Sequence, residues 1–324
     1  MLGEVQIFNH LSHEILIAFA VLFGILVGCS ALLRVRGVSG ELAARVRTWW
    51  LIIGALAVVI GISKWATILF LAAVCFLALR EFFQLVPIRD SDRPVLIWIW
   101  LSIPIQFLWV WTGWVGMFIV FIPVYMFVLV PTQVVLAGKT EGFLKAVGTI
   151  QWGLMMTLFS LSHAAMLLTL PLGEQPHVAP AWPTDSSEQC AGIGLLVLLL
   201  LLTQLNDVAQ YCWGKSLGKQ KVLPTVSPGK TTVGLIGGVA TTTVVAAVVG
   251  PWLSLLDFPC AILIGLVVGL AGFAGDVCVS AIKRDLGVKD TGAALPGHGG
   301  FLDRLDSLTF TAPLFFHIVY FFYG

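Results

Sequence analysis

Ten apolar segments follow one another along this chain, and no other feature constrains its fold as tightly. They run over about 14–33, 48–63, 65–79, 95–111, 115–136, 149–172, 191–205, 234–253, 260–279 and 308–323. A bilayer core takes roughly 20 apolar residues per helix, so each segment reads as a transmembrane span. Of the 324 residues, 58% are hydrophobic and 11% charged, against roughly 25% charged in a soluble domain. Eighteen basic and 17 acidic side chains cannot cover the surface of a soluble protein of this length. The expected fold class is an all-α polytopic integral membrane protein with about ten transmembrane helices. A soluble enzyme, a disordered chain and a disulfide-rich secreted scaffold are excluded. The net charge of +1 gives no basic surface for a nucleic-acid partner. Cys29, Cys75, Cys190, Cys212, Cys260 and Cys278 form no C-x-x-C pair, so neither a disulfide framework nor a zinc site is expected.

The basic residues orient the spans. With residues 34–47 cytoplasmic, alternation places 80–94, 137–148, 206–233 and 280–307 on the same side. Those five loops carry every Lys and Arg except Lys64, and the opposite loop 173–190 carries none. That asymmetry follows the positive-inside rule and puts both termini on the outer side. The second and third spans are short and share a tight break at Ser63-Lys64. The first is expected to be retained as a span, because Arg34 and Arg36 follow its apolar stretch, whereas a signal peptide has basic residues ahead of it. Tryptophans near span ends, including Trp49, Trp50, Trp65, Trp98, Trp114 and Trp252, read as interfacial anchors.

Polar residues are unevenly spread, which divides the chain into N-terminal transmembrane helices (1–190) and a C-terminal transmembrane domain (191–324). Two long same-side loops in the second part gather the charged side chains. From Asp276 onward the carboxylates are Asp276, Asp285, Asp290, Asp303 and Asp306, and the cations are Lys283, Arg284, Lys289 and Arg304. If the ninth span continues as helix to about 285, Asp276, Ser280, Lys283 and Arg284 share one face at i, i+4, i+7 and i+8. Asp276 then lies about two turns inside the helix end, where an ionisable group faces the bundle interior or a wet cavity. Carboxylates of this kind hold Mg²⁺ together with phosphate oxygens, and Lys and Arg neutralise phosphate charge that the metal leaves uncovered. The glycines flanking His298 allow a sharp turn and a close backbone approach.

Residues 280–306, S-A-I-K-R-D-L-G-V-K-D-T-G-A-A-L-P-G-H-G-G-F-L-D-R-L-D, resemble the signature of the phosphatidate cytidylyltransferases (CDP-diacylglycerol synthases). The matching positions are Ser280, Lys283-Arg284, Lys289-Asp290, His298-Gly299-Gly300, Asp303-Arg304 and Asp306. The resemblance extends upstream through Asp207-Val208-Ala209, Tyr211, Gly214-Lys215, Gly218-Lys219, Ser227-Pro228-Gly229-Lys230-Thr231, Gly234 and Gly237-Gly238. It covers about 195–324; earlier spans are similar to the family only in being hydrophobic. The resemblance implies transfer of CMP from CTP to phosphatidate or a related lipid phosphate, with release of pyrophosphate, as a step of phospholipid biosynthesis. It implies Mg²⁺ as cofactor, optionally joined by a second cation, and a homodimer as the assembly.

By the same resemblance, Asp276, Lys283, Arg284, His298, Asp303 and Arg304 are expected to carry catalysis. Asp207, Ser227, Lys230, Thr231, Ser280, Lys289 and Asp290 are expected to bind substrate. Asp276 and Asp303 are the expected principal metal ligands, with Asp306 in support. The expected location is the inner (plasma) membrane of a bacterium, with the catalytic loops cytoplasmic. Two positions depart from the family pattern: Val233 stands where an acidic residue is common, and Gln210 separates Ala209 from Tyr211.

Other motifs carry less. Gly229-Lys230-Thr231 is not a Walker A loop, because Pro224 occupies the position of its first glycine; it reads as a turn offering N–H groups and one ammonium to phosphate. His163 and His317 read as interhelical hydrogen-bonding residues, and Gly234/Gly238 and Gly265/Gly269 as close-packing helix faces. An anion transporter would place charges near span centres or in broken helices of matching halves. Charges gathered in two same-side loops favour the enzyme. Cytidylyl transfer to another lipid phosphate remains the alternative.

Overall fold

The computed structural model describes residues 11–37, 40–89, 92–136, 138, 140–171, 188–292 and 299–324. His298 and most of the loop 173–190 lie outside these residues. Helices dominate: α1 (His13–Val35), α2 (Glu41–Ile62), α3 (Lys64–Leu85) and α4 (Val95–Thr112), then α5 (Val115–Val120) running through a π-turn into α6 (Phe127–Leu136). Next come α7 (Phe143–Gly153), a second π-turn and α8 (Ser160–Met166), followed by α9 (Glu188–Leu217), α10 (Thr232–Leu253), α11 (Phe258–Asp285), the short α12 (Leu302–Leu305) and α13 (Leu308–Tyr323). A hairpin of β1 (Lys221–Leu223) and β2 (Ser227–Thr231), antiparallel, joins α9 to α10.

Nine helices among the described residues are long and apolar enough to cross a membrane. The sixth expected span is present as the run 143–166, but Gln151, Thr157, Ser160, Ser162 and His163 make it more polar than the others. In its π-turn the Ser160 hydroxyl donates to the Met155 carbonyl five residues back, at 2.8 Å, the same carbonyl that accepts the Ser160 N–H in the π register.

The break between the second and third spans is a helix cap. Ser63 Oγ accepts from the Ala66 N–H at 3.1 Å, satisfying a donor that the first turn of α3 cannot bond internally. Both flanking helices have 22 residues, longer than the sequence suggests, because each extends through polar residues at its far end. The ninth span continues to Asp285 as expected, whereas α9 runs well past 205 and places Asp207 on a helix instead of in a loop.

Helix α9 is the centre of the C-terminal part, with 67% of its apolar window buried, against 17% for α1 and α2. Small residues bring its neighbours close. A methyl group on Gly234 would lie 2.7 Å from the Gln210 carbonyl oxygen, and one on Gly265 would lie 2.6 Å from the Thr243 Cα. Gly234 and Gly238 therefore seat α10 on α9, and Gly265 and Gly269 seat α11 on α10, in the manner of small-residue membrane interfaces. Polar bonds pin the neighbouring seams: Asn206 Nδ2 of α9 donates to the Gly269 carbonyl of α11 at 3.2 Å, and the Thr203 and Thr311 hydroxyls of α9 and α13 meet at 2.8 Å. His163 departs from expectation. Its Nδ1 bonds the Phe159 carbonyl of its own helix turn at 2.8 Å, and its ring sits among Phe118, Phe159, Phe316 and His317. Its Nε2 has no hydrogen-bond partner among the described residues.

Five long-range bonds collect the polar loops at one end of the bundle. Arg89 at the end of the α3–α4 connection donates to the Glu141 carbonyl. Glu81 of α3 accepts from the chain at 291–302, and Arg284 reaches the Val226 carbonyl at 3.4 Å. Loops 80–94, 137–148, 206–233 and 280–307 thus share one end, as alternation requires.

Candidate active site

Two adjoining clusters of charge form at that end. The first lies among α9, β2 and α11. Lys230 Nζ contacts Asp276 Oδ2 at 2.5 Å and donates to Gln210 Oε1 at 3.0 Å. Ser280, one turn on from Asp276, donates to its Oδ1 at 3.3 Å. The Ser307 hydroxyl donates to Asp207 Oδ1 at 2.9 Å, and the Ser307 N–H to Asp306 Oδ1 at 2.8 Å. Asp207, Asp276 and Asp306 lie close enough for each charge to act on the others, with Lys230 and Arg304 near Asp207. Gly275 makes this approach possible: a methyl group there would lie 2.5 Å from the Asp306 carbonyl oxygen. Asp276 sits about 13 Å from the end of α11 at 1.5 Å per residue.

The second cluster holds the glycine turn. Asp303 is almost fully engaged: Lys283 Nζ contacts its Oδ1 at 2.7 Å, and its Oδ2 accepts from the Thr291 N–H (2.8 Å), the Thr291 hydroxyl (2.9 Å) and the Gly300 N–H (3.0 Å). Gly299 has φ of 78°, a conformation that favours glycine. Opposite Asp303 stands Glu81, 7% exposed, which accepts from the Phe301 N–H at 2.8 Å and the Leu302 N–H at 3.1 Å; the single Thr291 hydroxyl proton is shared between Glu81 and Asp303. Two buried carboxylates from distant parts of the chain therefore clamp Thr291 together with Gly300, Phe301 and Leu302.

Several expected residues take places other than those anticipated. Asp303, expected beside Asp276 at a metal, instead pairs with Lys283 and braces the glycine turn. Thr231, expected to bind substrate, caps α10 by accepting the Gly234 N–H at 3.1 Å. Ser227 to Thr231 form a strand paired with β1 instead of an open turn, since the chain must return to α10 alongside itself. Arg284 points outward to the Val226 and Val288 carbonyls, and Lys289 and Asp290 are exposed. Glu81 was missed by the sequence reading. Its signal was a carboxylate next to Arg80 at the end of an apolar span, in a half of the chain read as purely hydrophobic.

Among the described residues, no three His, Cys, Asp or Glu side chains are arranged to hold a metal ion unaided. Mg²⁺ does not need such a cage, because it binds through one or two carboxylates with phosphate oxygens and water. One or two of Asp207, Asp276 and Asp306, with phosphate oxygens and water, fit that donor set.

A membrane-embedded bundle with acidic and basic side chains converging at one end defines a polytopic enzyme acting at the membrane surface. Residues 43–322 match the model of the cytidylyltransferase family, and the chain belongs to that family of nucleotidyltransferases. The match begins in α2, so the relationship reaches far upstream of the segment in which the sequence motifs were recognised. The uncharacterized protein YnbB of Escherichia coli K12 is 46% identical over 282 residues, covering 87% of this chain and 88% of that protein. The phosphatidate cytidylyltransferase of Staphylococcus aureus strain COL is 42% identical over 127 residues, 38% of this chain and 48% of that enzyme. That of Staphylococcus epidermidis RP62A is 38% identical over 124 residues, with the same coverage. The chain thus matches about half the length of these two enzymes.

Proposed function

We propose that this protein transfers CMP from CTP to phosphatidate, giving CDP-diacylglycerol and pyrophosphate, with the site on the cytoplasmic face of the membrane. The observation that carries the reading is the convergence of Asp207, Lys230, Asp276 and Asp306 from α9, β2, α11 and the α12–α13 junction. A phosphate oxygen of the lipid attacks the α-phosphorus of CTP in line, and the bond from that phosphorus to the bridging oxygen of pyrophosphate breaks. The lipid phosphate is already an anion, so no general base is needed.

Lys230 is poised to exchange Asp276 for a nucleotide phosphate, since an ammonium has three donors and uses two here. Arg304, near Asp207, supports the second phosphate. Asp276 with Asp306 and Asp207 would hold Mg²⁺; Asp303 could join them only by giving up Lys283. When bound there, the ion offsets charge on the attacking and leaving oxygens. Lys283, Asp303 and Glu81 keep the glycine turn in place beside the reacting groups.

The test is an acceptor panel. Purified protein is given radiolabelled CTP, Mg²⁺ and, separately, phosphatidate, lysophosphatidate, an isoprenoid phosphate and diacylglycerol. Label should enter CDP-diacylglycerol with stoichiometric pyrophosphate. Transfer to another lipid phosphate, with none to phosphatidate, would replace the proposed acceptor.

A further inference from the structure

A cavity of about 380 Å³ lies beside the acidic cluster, lined by α1, α2, α3, α8, α9, α12 and the start of α13. Its walls are apolar side chains such as Leu22, Leu51, Ala55, Val74 and Leu200, and its polar lining includes Gln204 and Arg304. Three observations tie it to the site. Gln204 stands one turn before Asp207 on α9, so the cavity ends where the carboxylates begin. Arg304 both lines the cavity and acts on Asp207. The Arg304 Nε is buried and has no hydrogen-bond partner among the described residues, although a buried donor of this kind normally has one. Sideways access is also present: Leu51, 68% exposed, and Ala55 line the cavity and belong to the outer face of α2.

We infer that this cavity holds one acyl chain of the lipid phosphate substrate, entered from the bilayer past Leu51 and Ala55, with Arg304 taking the phosphate at its inner end. The inference rests on the proposed acceptor being a lipid phosphate. Apolar walls with a guanidinium at one end, its Nε unpartnered among the described residues, match an alkyl chain bearing an anion, and match neither a neutral lipid nor a free nucleotide. The size sets the number of chains. Pockets that enclose a whole drug-sized ligand span about 300–1,000 Å³, and a volume near the lower bound suits one chain better than two. The second chain stays in the bilayer along α2.

The experiment is photo-crosslinking of the full-length protein in nanodiscs, with phosphatidate bearing a diazirine at the end of one acyl chain or of the other. Label should enter peptides spanning 48–56 and 197–204, with one positional isomer exceeding the other about five-fold. Ala55→Trp, on the exposed face of α2, should reduce that label about ten-fold and leave surface labelling of α10 unchanged; Leu51→Trp provides a second block. The matching diacylglycerol probe, without phosphate, should label the same peptides at least five-fold less. Equal labelling by both isomers overturns the single chain, equal labelling by diacylglycerol overturns the role of Arg304, and label spread over outer helix faces overturns the cavity. Crosslinking requires no turnover. Phosphate-dependent labelling without cytidylyl transfer would therefore sink the proposed reaction alone, and transfer without cavity labelling would sink this inference alone.

Discussion

Replacing Glu81 with Ala tests whether a residue from the N-terminal helices controls chemistry carried by the C-terminal loops. The substitution removes the acceptor for the Phe301 and Leu302 N–H groups and the Thr291 hydroxyl. The hydroxyl still reaches Asp303 Oδ2 at 2.9 Å, so two donors lose their partner. Each buried donor left unsatisfied costs about 1–3 kcal/mol, which sums to about 2–6 kcal/mol. Helix α3 keeps its place through Ala78, Leu79 and Phe82, all nearly inaccessible, so the loss falls on the loop and not on the whole bundle. If loop order limits turnover, even the lower figure lowers kcat by about 30-fold, at about 1.4 kcal/mol per factor of ten. Glu81→Gln keeps one acceptor oxygen and turns an NH₂ toward the other donor; it should lose about ten-fold.

The glycine turn gives an independent handle on the same contact. A methyl group on Gly300 would overlap Glu81 Oε1, so Gly300→Ala should also impair turnover. In the Glu81→Ala background that penalty should shrink, because the obstructing carboxylate is gone and only the approach to Thr291 Oγ1 at 2.5 Å is left; coupling of this kind is what a double-mutant cycle measures. The assay is CDP-diacylglycerol formation from radiolabelled CTP in detergent, with a thermal melt run on each variant. Glu81→Ala activity within two-fold of the parent, or strictly additive effects of the two substitutions, would refute the clamp.

Three further outcomes are expected. Asp276→Asn should cut turnover by about 100-fold or more and raise the Mg²⁺ needed for half-maximal rate, as loss of a metal ligand does; Asp303→Asn should lower turnover without moving that midpoint, and a shifted midpoint would return Asp303 to the metal. Single cysteines near 225 and 292, in a cysteine-free background, should react with an impermeant thiol reagent from the cytoplasmic face only, and one near 182 from the opposite face; labelling of 182 together with 292 from one face would reject the topology. Val233 is 37% exposed in the first turn of α10, where a carboxylate gains about 0.3–1 kcal/mol from the helix dipole. Val233→Glu should therefore fold normally and change the Mg²⁺ or CTP requirement a few-fold, and complete loss of activity would show that the turn is built differently.

The helical membrane fold was legible because it rests on composition and segment length, which act locally. The run Phe258–Asp285 shows how far that logic reaches: the i, i+4 spacing of Asp276 and Ser280 puts them on one face, and on α11 the two meet. The same logic does not reach the partners of Asp303, because they are fixed by tertiary packing. Lys283 extends from a neighbouring helix, and Thr291 and Gly300 offer N–H groups, which carry no trace in the residue type. Glu81 lay beyond reach for a related reason. A carboxylate 210 residues before Thr291 can be matched to it only once α3 and α12 are packed together, and nothing in an apolar span announces which end will meet which loop. Thr231 is the converse case: the family motif drew attention to it, yet its side chain satisfies a demand of every helix N-terminus. A motif position can thus be held by the fold as well as by the chemistry. In this site the two are joined, because the residues that close the helix ends and brace the glycine turn also fix the distance between Lys230, Asp276 and Asp306, on which the proposed transfer depends.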